Sequence, residues 1–444
     1  MSYTHKSSAE TGLMRRSPVP APWSTMGVAA LAVGLAACGG GDGSTRDQPM
    51  AAGAASPAVA EVVAVLSPQE QLGKAIFFDA KLSANGNQSC ASCHAPEAGW
   101  TGPDSGINER GTVYEGSIPG AFGDRKPPSS AYATSSPILH FVLDEGDPLF
   151  IGGNFWDGRA TGERLGSPAA EQAQGPFLNP AEQALPAASA VVARICASTA
   201  YGDLFRQVAG SQACDPANMA QAYDQVGYAI AAYEASAESN AFTSKFDLYL
   251  KGAVKLTPLE QQGLNLFNGK GKCSACHTME RGKSPKKAAA LFTDFSFDNL
   301  GLPRNPENPV YQARGEGWID EGLGAFLASR ADYVPYAADN MGKHKVPTLR
   351  NVDKRPFPGF VKAYGHNGYF KSLEGIVHFY NTRDFKPRCA GAYTEAQALA
   401  ANCWPAPEVA ANVNSDELGD LRLTPAQEAA IVAFMKTLSD GYTP

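Results

Sequence analysis

"SCASCHAPEAGW", Ser89 to Trp100, sets a histidine directly after a Cys-x-x-Cys pair. A zinc knuckle or a redox disulfide uses the two thiols and has no need of histidine at that place. Covalent haem uses all three residues: the thiols add across the porphyrin vinyl groups, and the adjacent imidazole lies beneath the iron. The arrangement returns as "KCSACHTM", Lys272 to Met279. The two motifs predict two covalently bound haem c groups, one on Cys90, Cys93 and His94, the other on Cys273, Cys276 and His277. The rival, one zinc site built from four thiolates, leaves both histidines idle and must gather thiols about 180 residues apart.

Around these motifs lies a chain of 444 residues, enough for two or three ordinary domains. Its net charge of −7 favours neither nucleic acid nor an anionic membrane as a partner. Lys6, Arg15 and Arg16 precede a short apolar stretch, "GVAALAVGLAAC", which marks residues 1–37 as an export signal. "LAAC" looks like a bacterial lipobox, with Cys38 the lipidated first residue of a periplasmic, membrane-anchored protein. Ordinary cleavage after "AVA" (58–60), with Cys38 discarded, is the alternative. A Gly/Ala/Ser/Pro tether fills 38–62. Of nine cysteines, Cys196, Cys214, Cys389 and Cys403 remain, in two local pairs. An oxidising compartment makes Cys196–Cys214 and Cys389–Cys403 plausible disulfides; buried free thiols are the alternative.

Helix starts are unusually legible. "SPQE" (67–70), "TPLE" (257–260) and "TPAQ" (424–427) each give a Ser/Thr cap, proline at the first helical position and Glu/Gln three after the cap. The first two introduce a weak repeat, "GKAIFFDAKLSANGNQSCASCH" and "GLNLFNGKGKCSACH", and each half closes on an amphipathic stretch, 220–236 and 424–440. The predicted fold is mainly α: two cytochrome c-like helical haem domains, 63–240 and 256–442, joined by a linker at 241–255. Gly/Pro-rich stretches such as 101–155 are read as long ordered loops.

From about Leu72 to Leu438 the chain resembles the bacterial dihaem cytochrome c peroxidases and their MauG-like relatives. The stretches that carry the likeness are "LGKAIFFDAKLSANGNQSCASCH", "NFWDGRA", "EQAQGPFLNPAEQ", "SKFDLYL", "FDNLGLP", "KVPTLRNV" and "YGHNGYFKSLEGIVHFYN". The resemblance implies that hydrogen peroxide reacts at the first haem, with His94 its proximal ligand. Some relatives cap that iron with a distal histidine. Here none of the seven histidines falls between His94 and His140, and Arg110 stands about where it would be. An iron open without reductive activation is therefore expected, with remote His140 as the alternative cap. Glu182 falls where the family keeps its acid–base carboxylate, with Gln172 ten residues before it; read alone, Glu182 is a surface glutamate at a helix start. About six extra residues separate Trp156 from Gln172. Trp156 matches the family tryptophan between the haems; read alone, it is a core tryptophan beside a structural Arg159.

For the second haem, the residue 14 after His366 is Tyr380. The peroxidases offer methionine there and MauG-like members tyrosine, a hard ligand that stabilises oxidised iron. The alternatives are that Tyr380 only packs, and that His378, Met341 or nothing binds. The family's calcium ion takes an Asn whose slot here holds Lys126, plus carbonyls near Arg355 and Phe357. A charged lysine cannot ligate calcium, so Ca2+ stays an open expectation. The function implied first is a peroxidase reducing hydrogen peroxide with electrons from a small cytochrome c or cupredoxin. The second is a MauG-like oxidase of Trp or Tyr residues in a partner protein. The third is a non-enzymatic dihaem electron carrier.

Overall fold

The computed structural model describes residues 65–144, 146–279 and 290–444. The export signal 1–37, Cys38 and the tether 38–62 lie outside the described residues. Val62–Pro444 forms one compact unit. Thirteen α-helices and two two-stranded antiparallel sheets are present among the described residues. No described helix is long and apolar enough to cross a membrane.

The three capped starts hold. Ser67, Thr257 and Thr424 each close a reciprocal capping box with the Glu or Gln three residues on, and a proline opens each helix. Apolar residues at i, i+3 and i+4 then bury one face: Leu72 and Ile76 on the Pro68–Phe77 helix, Val226, Ile230 and Tyr233 on Met219–Ala235.

The sequence repeat becomes a repeat of one helix crossing. Pro68–Phe77 packs on Met219–Ala235, and Pro258–Asn268 packs on Pro425–Lys436. At the first crossing a Cβ on Gly73 would stand 2.6 Å from the Ala229 carbonyl carbon and 2.9 Å from Tyr233 Cβ. At the second a Cβ on Gly263 would stand 2.6 Å from the Ala430 carbonyl carbon and 2.8 Å from Phe434 Cβ. Glycine is needed at both points because backbone meets backbone.

Around the first crossing lies a core of Leu72, Phe77, Trp100, Phe177, Val192 and Ile230. Around the second lies a core of Phe246, Phe267, Phe292, Phe379, Trp404 and Phe434. The Cys196–Cys214 and Cys389–Cys403 disulfides form. Two features were not legible. The stretch read as loop, 101–155, carries an antiparallel hairpin, His140–Asp144 with Asp147–Ile151. That hairpin covers a third small core of Leu139, Phe150, Phe297, Leu323 and Leu327. The stretch read as linker contains a helix, Lys245–Leu250, that sends Phe246 into the second core. Its Asp247 pairs with Arg350 at 2.7 Å, both side chains at most 3% exposed.

Candidate active site

Two cavities open among these elements. Cys90, Cys93 and His94 line the first, with Glu182, Gln172 and Trp156. Cys273, Cys276 and His277 line the second, with Tyr380. The two thiol pairs face different cavities, so one four-thiolate zinc site cannot form. Protein interiors are close-packed, and cavities of about 200 Å³ walled largely by apolar atoms are ligand sites rather than packing faults. The four motif cysteines are free thiols, although the other four described cysteines are oxidised to disulfides. Burial pushes the Cys90 and Cys273 thiols up to about 12, which disfavours binding a bare metal ion as thiolates.

The imidazoles are oriented by the same device in both halves. His94 Nδ1 lies 3.3 Å from the Trp100 carbonyl and His277 Nδ1 lies 2.9 Å from the Phe292 carbonyl. A carbonyl only accepts, so each Nδ1 carries the proton and each Nε2 is left to face a metal. Burial keeps both rings neutral. Trp100 (φ 63°) and Phe292 (φ 55°) both adopt left-handed backbone to present these carbonyls, at a cost of order 1–3 kcal/mol each. Thiol pairs, oriented imidazoles and apolar cavities together fit two covalently held haems.

In the first cavity, Glu182 lies in the turn that follows the Pro168–Leu178 helix. Its backbone carbonyl accepts from Ser117 N–H at 2.6 Å, and a side chain at Gly116 would meet that turn at 2.6 Å. Its carboxyl is pushed up to about 7 by burial, against the pull of Arg159. The Arg159 guanidinium lies 3.8 Å over the Phe155 ring and pairs with Asp157 at 2.6 Å. No described histidine other than His94 lines this cavity. Arg110 is exposed at the end of the Ser105–Glu109 helix, outside the lining. His140 is exposed on the hairpin, its Nδ1 2.8 Å from the Ile138 carbonyl. The extra residues before Gln172 form a loop held by Glu171, whose carboxylate accepts from Gly162, Arg164 and Leu165 N–H.

The two cavities share a wall of Lys126, Pro128, Trp156 and Lys345–Thr348. Trp156 is 8% exposed, donates Nε1–H to the Lys126 carbonyl at 2.7 Å, and meets His366 edge-on. His366 stacks on His344 with centroids 3.5 Å apart and planes 3° apart. Asp320 completes a cluster with both rings. Parallel rings point their lone pairs side by side rather than at one ion, and Asp320 already binds Arg125 at 2.6 Å, so this cluster does not suit a metal.

In the second cavity Tyr380 faces the space that His277 faces, on the Leu373–Thr382 helix. Burial holds its phenol well above the usual range, so it ionises only against a cation at its oxygen. His378, on the same helix, turns to Glu428 at 3.0 Å, and Met341 packs in the third core. Neither lines the cavity.

The slot that the resemblance links to calcium holds the Lys126 ammonium, with Lys362 beside it. Lys126 Nζ donates to Thr101 Oγ1 and the Pro127 carbonyl, both at 3.1 Å. Lys362 Nζ donates to the Ala98, Asn351 and Lys354 carbonyls. The Phe357 carbonyl closes a turn with Phe360 N–H. Calcium takes six to eight oxygen ligands, and two buried cations repel it, so these residues do not fit the ion.

Sequence reasoning passed over Lys362, the Arg125–Asp157–Asp320 ion group and Glu234. Glu234 did leave a signal: it is a carboxylate on the apolar face of Met219–Ala235. It lines the first cavity, and burial pushes it up to about 8. Lys362 left none, because its partners are backbone carbonyls, and Arg125 left none, because its partners are remote in sequence.

Comparison with known proteins agrees with this geometry. The sequence pattern of the di-haem cytochrome c peroxidase family matches residues 67–255. The chain is 36% identical over 370 residues to methylamine utilization protein MauG of Paracoccus denitrificans, covering 83% of this chain and 88% of that protein. It is 28% identical over 381 residues to cytochrome-c peroxidase IdrP1 of Denitromonas iodatirespirans, covering 83% and 80%. The crystal structure of the diheme peroxidase BthA from Burkholderia thailandensis superposes with a TM-score of 0.70 at 30% identity, over 85% of this chain and 87% of that one. The family implies two haem c groups and a peroxide-dependent oxidoreductase. The chain belongs to the dihaem cytochrome c peroxidase and MauG-like family.

Proposed function

We propose that this protein reduces hydrogen peroxide to water in the periplasm, taking two electrons and two protons per peroxide from outside the first cavity. The observation that carries the reading is Glu182, a carboxyl titrating near neutrality on the cavity that His94 faces and no other described histidine lines. Cys90, Cys93 and His94 would hold one haem, and Cys273, Cys276, His277 and Tyr380 the other, in domains spanning 63–240 and 256–442. When bound, haem supplies an iron that binds peroxide and stores oxidising equivalents. Glu182 accepts the proton from one peroxide oxygen and returns it to the other as water leaves. Gln172 orients the bound oxygen pair by hydrogen bonding, and Arg159 beside Glu182 favours its ionised form. Trp156, in the shared wall, passes electrons between cavities. Export is supported by two disulfides and the haem motifs, with Cys38 the proposed lipid anchor.

One observation favours a second reading. Tyr380, lining the second cavity where a soft ligand would otherwise stand, would stabilise oxidised iron, which suits a MauG-like oxidation of Trp or Tyr residues in a docked protein. Steady-state peroxide turnover of the haem-loaded protein with reduced small cytochrome c or cupredoxin separates the two. Fast turnover supports the peroxidase; a reaction with peroxide but no turnover with such donors supports the protein oxidase. No reaction with peroxide leaves only the electron carrier.

A further inference from the structure

We propose that Lys362 is a built-in cation that takes the place of a bound metal ion and ties the loop behind His94 to the distant 351–354 turn. Its side chain is 4% exposed. Nζ donates to the Ala98 carbonyl at 2.6 Å and to the Asn351 and Lys354 carbonyls at 3.0 Å each. Three acceptors match the three N–H groups of an ammonium. A neutral amine has two and would leave one carbonyl facing its lone pair.

The tie reaches functional atoms on both sides. Ala98 lies two residues before Trp100, whose carbonyl orients the His94 ring. Between them Gly99 adopts φ 75°, and a Cβ there would stand 2.9 Å from Lys362 Nζ and 2.8 Å from the Asn351 carbonyl oxygen. On the other side Asn351 is latched to the chain end: its Nδ2 donates to Asp440 Oδ2 at 3.0 Å, and its Oδ1 accepts from Asp440 N–H at 2.8 Å. Burial, and Lys126 close by, pull the Lys362 ammonium well below the usual lysine range, and the three carbonyl acceptors are what hold its third proton in place. The Lys126 carbonyl in turn receives the Trp156 indole. A cation held by backbone carbonyls from two remote segments does what a structural metal ion does, and the chain carries it covalently. Chelators therefore have nothing to remove.

This tie operates whatever reaction the first cavity performs. Lack of a peroxide response would refute the reaction and leave the tie standing. The test uses the haem-loaded full chain, dialysed against EGTA, with calcium content, melting temperature and resting EPR spectrum read before and after. Substoichiometric calcium and an unchanged spectrum are expected. Stoichiometric calcium, or a spectrum altered by chelation, overturns the proposal. In a second arm, Lys362→Ala should lose the single resting signal of the His94-side haem, and methylammonium or calcium should restore it where acetamide does not. Lys362→Met, which keeps the bulk without charge, should lose the signal and resist rescue. A Lys362→Met protein with the wild-type signal overturns the proposal. If the variants fail to fold, the wild-type chelation arm still decides.

Discussion

Replacing Gly263 by alanine tests the claim that one helix crossing supports each cavity. The new Cβ would stand 2.6 Å from the Ala430 carbonyl carbon, against an ordinary contact of 3.4 Å or more, so the helices must part by about 1 Å. A gap of that size forfeits a quarter to a half of each dispersion contact across the interface. Overpacking of this kind costs roughly 1–3 kcal/mol, and a rigid backbone obstacle places it at the upper end. Alanine's better helix propensity offsets about 1 kcal/mol. The expected net loss is about 2 kcal/mol, or roughly 4–8 °C in melting temperature if the cavity's own half unfolds as a unit. Calorimetry of the haem-loaded protein measures the loss, and visible and EPR spectra show which haem is disturbed. Gly263→Ala should disturb the His277 side and Gly73→Ala the His94 side. Gly106→Ala is the control: its Cβ would meet only side-chain ends at ordinary contact distance, Asp104 Oδ1 at 3.4 Å and the Arg110 guanidinium at 3.8 and 3.9 Å, so it should be neutral or slightly stabilising. An unchanged melt in Gly263→Ala, or equal disturbance of both haems by either crossing variant, would refute the reasoning.

Four further outcomes are expected. Because only ionised Glu182 can take a proton, the rate of reaction with peroxide should rise with pH through about 7 and then level; Glu182→Gln should remove that limb and slow the reaction about 10²–10⁴-fold in stopped flow. The raised pKa means folding favours the neutral carboxyl, so stability is lost as pH climbs from the ordinary glutamate range through 7. Glu182→Gln should therefore melt higher than wild type at pH 8 and no higher at pH 4. Tyr380→Met should raise the reduction potential of the His277-side haem and speed turnover with reduced cytochrome c; an unchanged potential in redox titration would mean the phenol does not ligate. Trp156→Phe keeps the apolar bulk and loses the bond to the Lys126 carbonyl, so electron delivery should slow while binding of peroxide is spared, seen as a lower kcat at similar initial peroxide rate.

The elements written in local sequence were the ones that could be read. Ser67, Thr257 and Thr424 announce helices because a cap and its partner lie three residues apart. Tyr380 and Glu182 could be singled out because each lies at a short, fixed spacing from a marked neighbour, His366 or Gln172, and each lines one of the two cavities. The hairpin at 140–151 was missed because its two strands stay half-exposed and pair across a single turn without a strong alternation of apolar residues. The helix within 241–255 was missed for a different reason: Asp247 owes its burial to Arg350, 103 residues away. Lys362 was invisible because its acceptors are carbonyls that any residue would offer.

The bond between Trp156 and the Lys126 carbonyl has a consequence for how charge crosses the shared wall. A carbonyl oxygen can hold the indole hydrogen but cannot keep it, having too little basicity at any ordinary pH. An electron withdrawn from Trp156 would thus leave a cation that retains its proton, and the missing electron can be refilled without waiting for solvent. Passage through this indole should then be insensitive to acidity and show no solvent deuterium effect, leaving the proton traffic to the carboxylate on the far side.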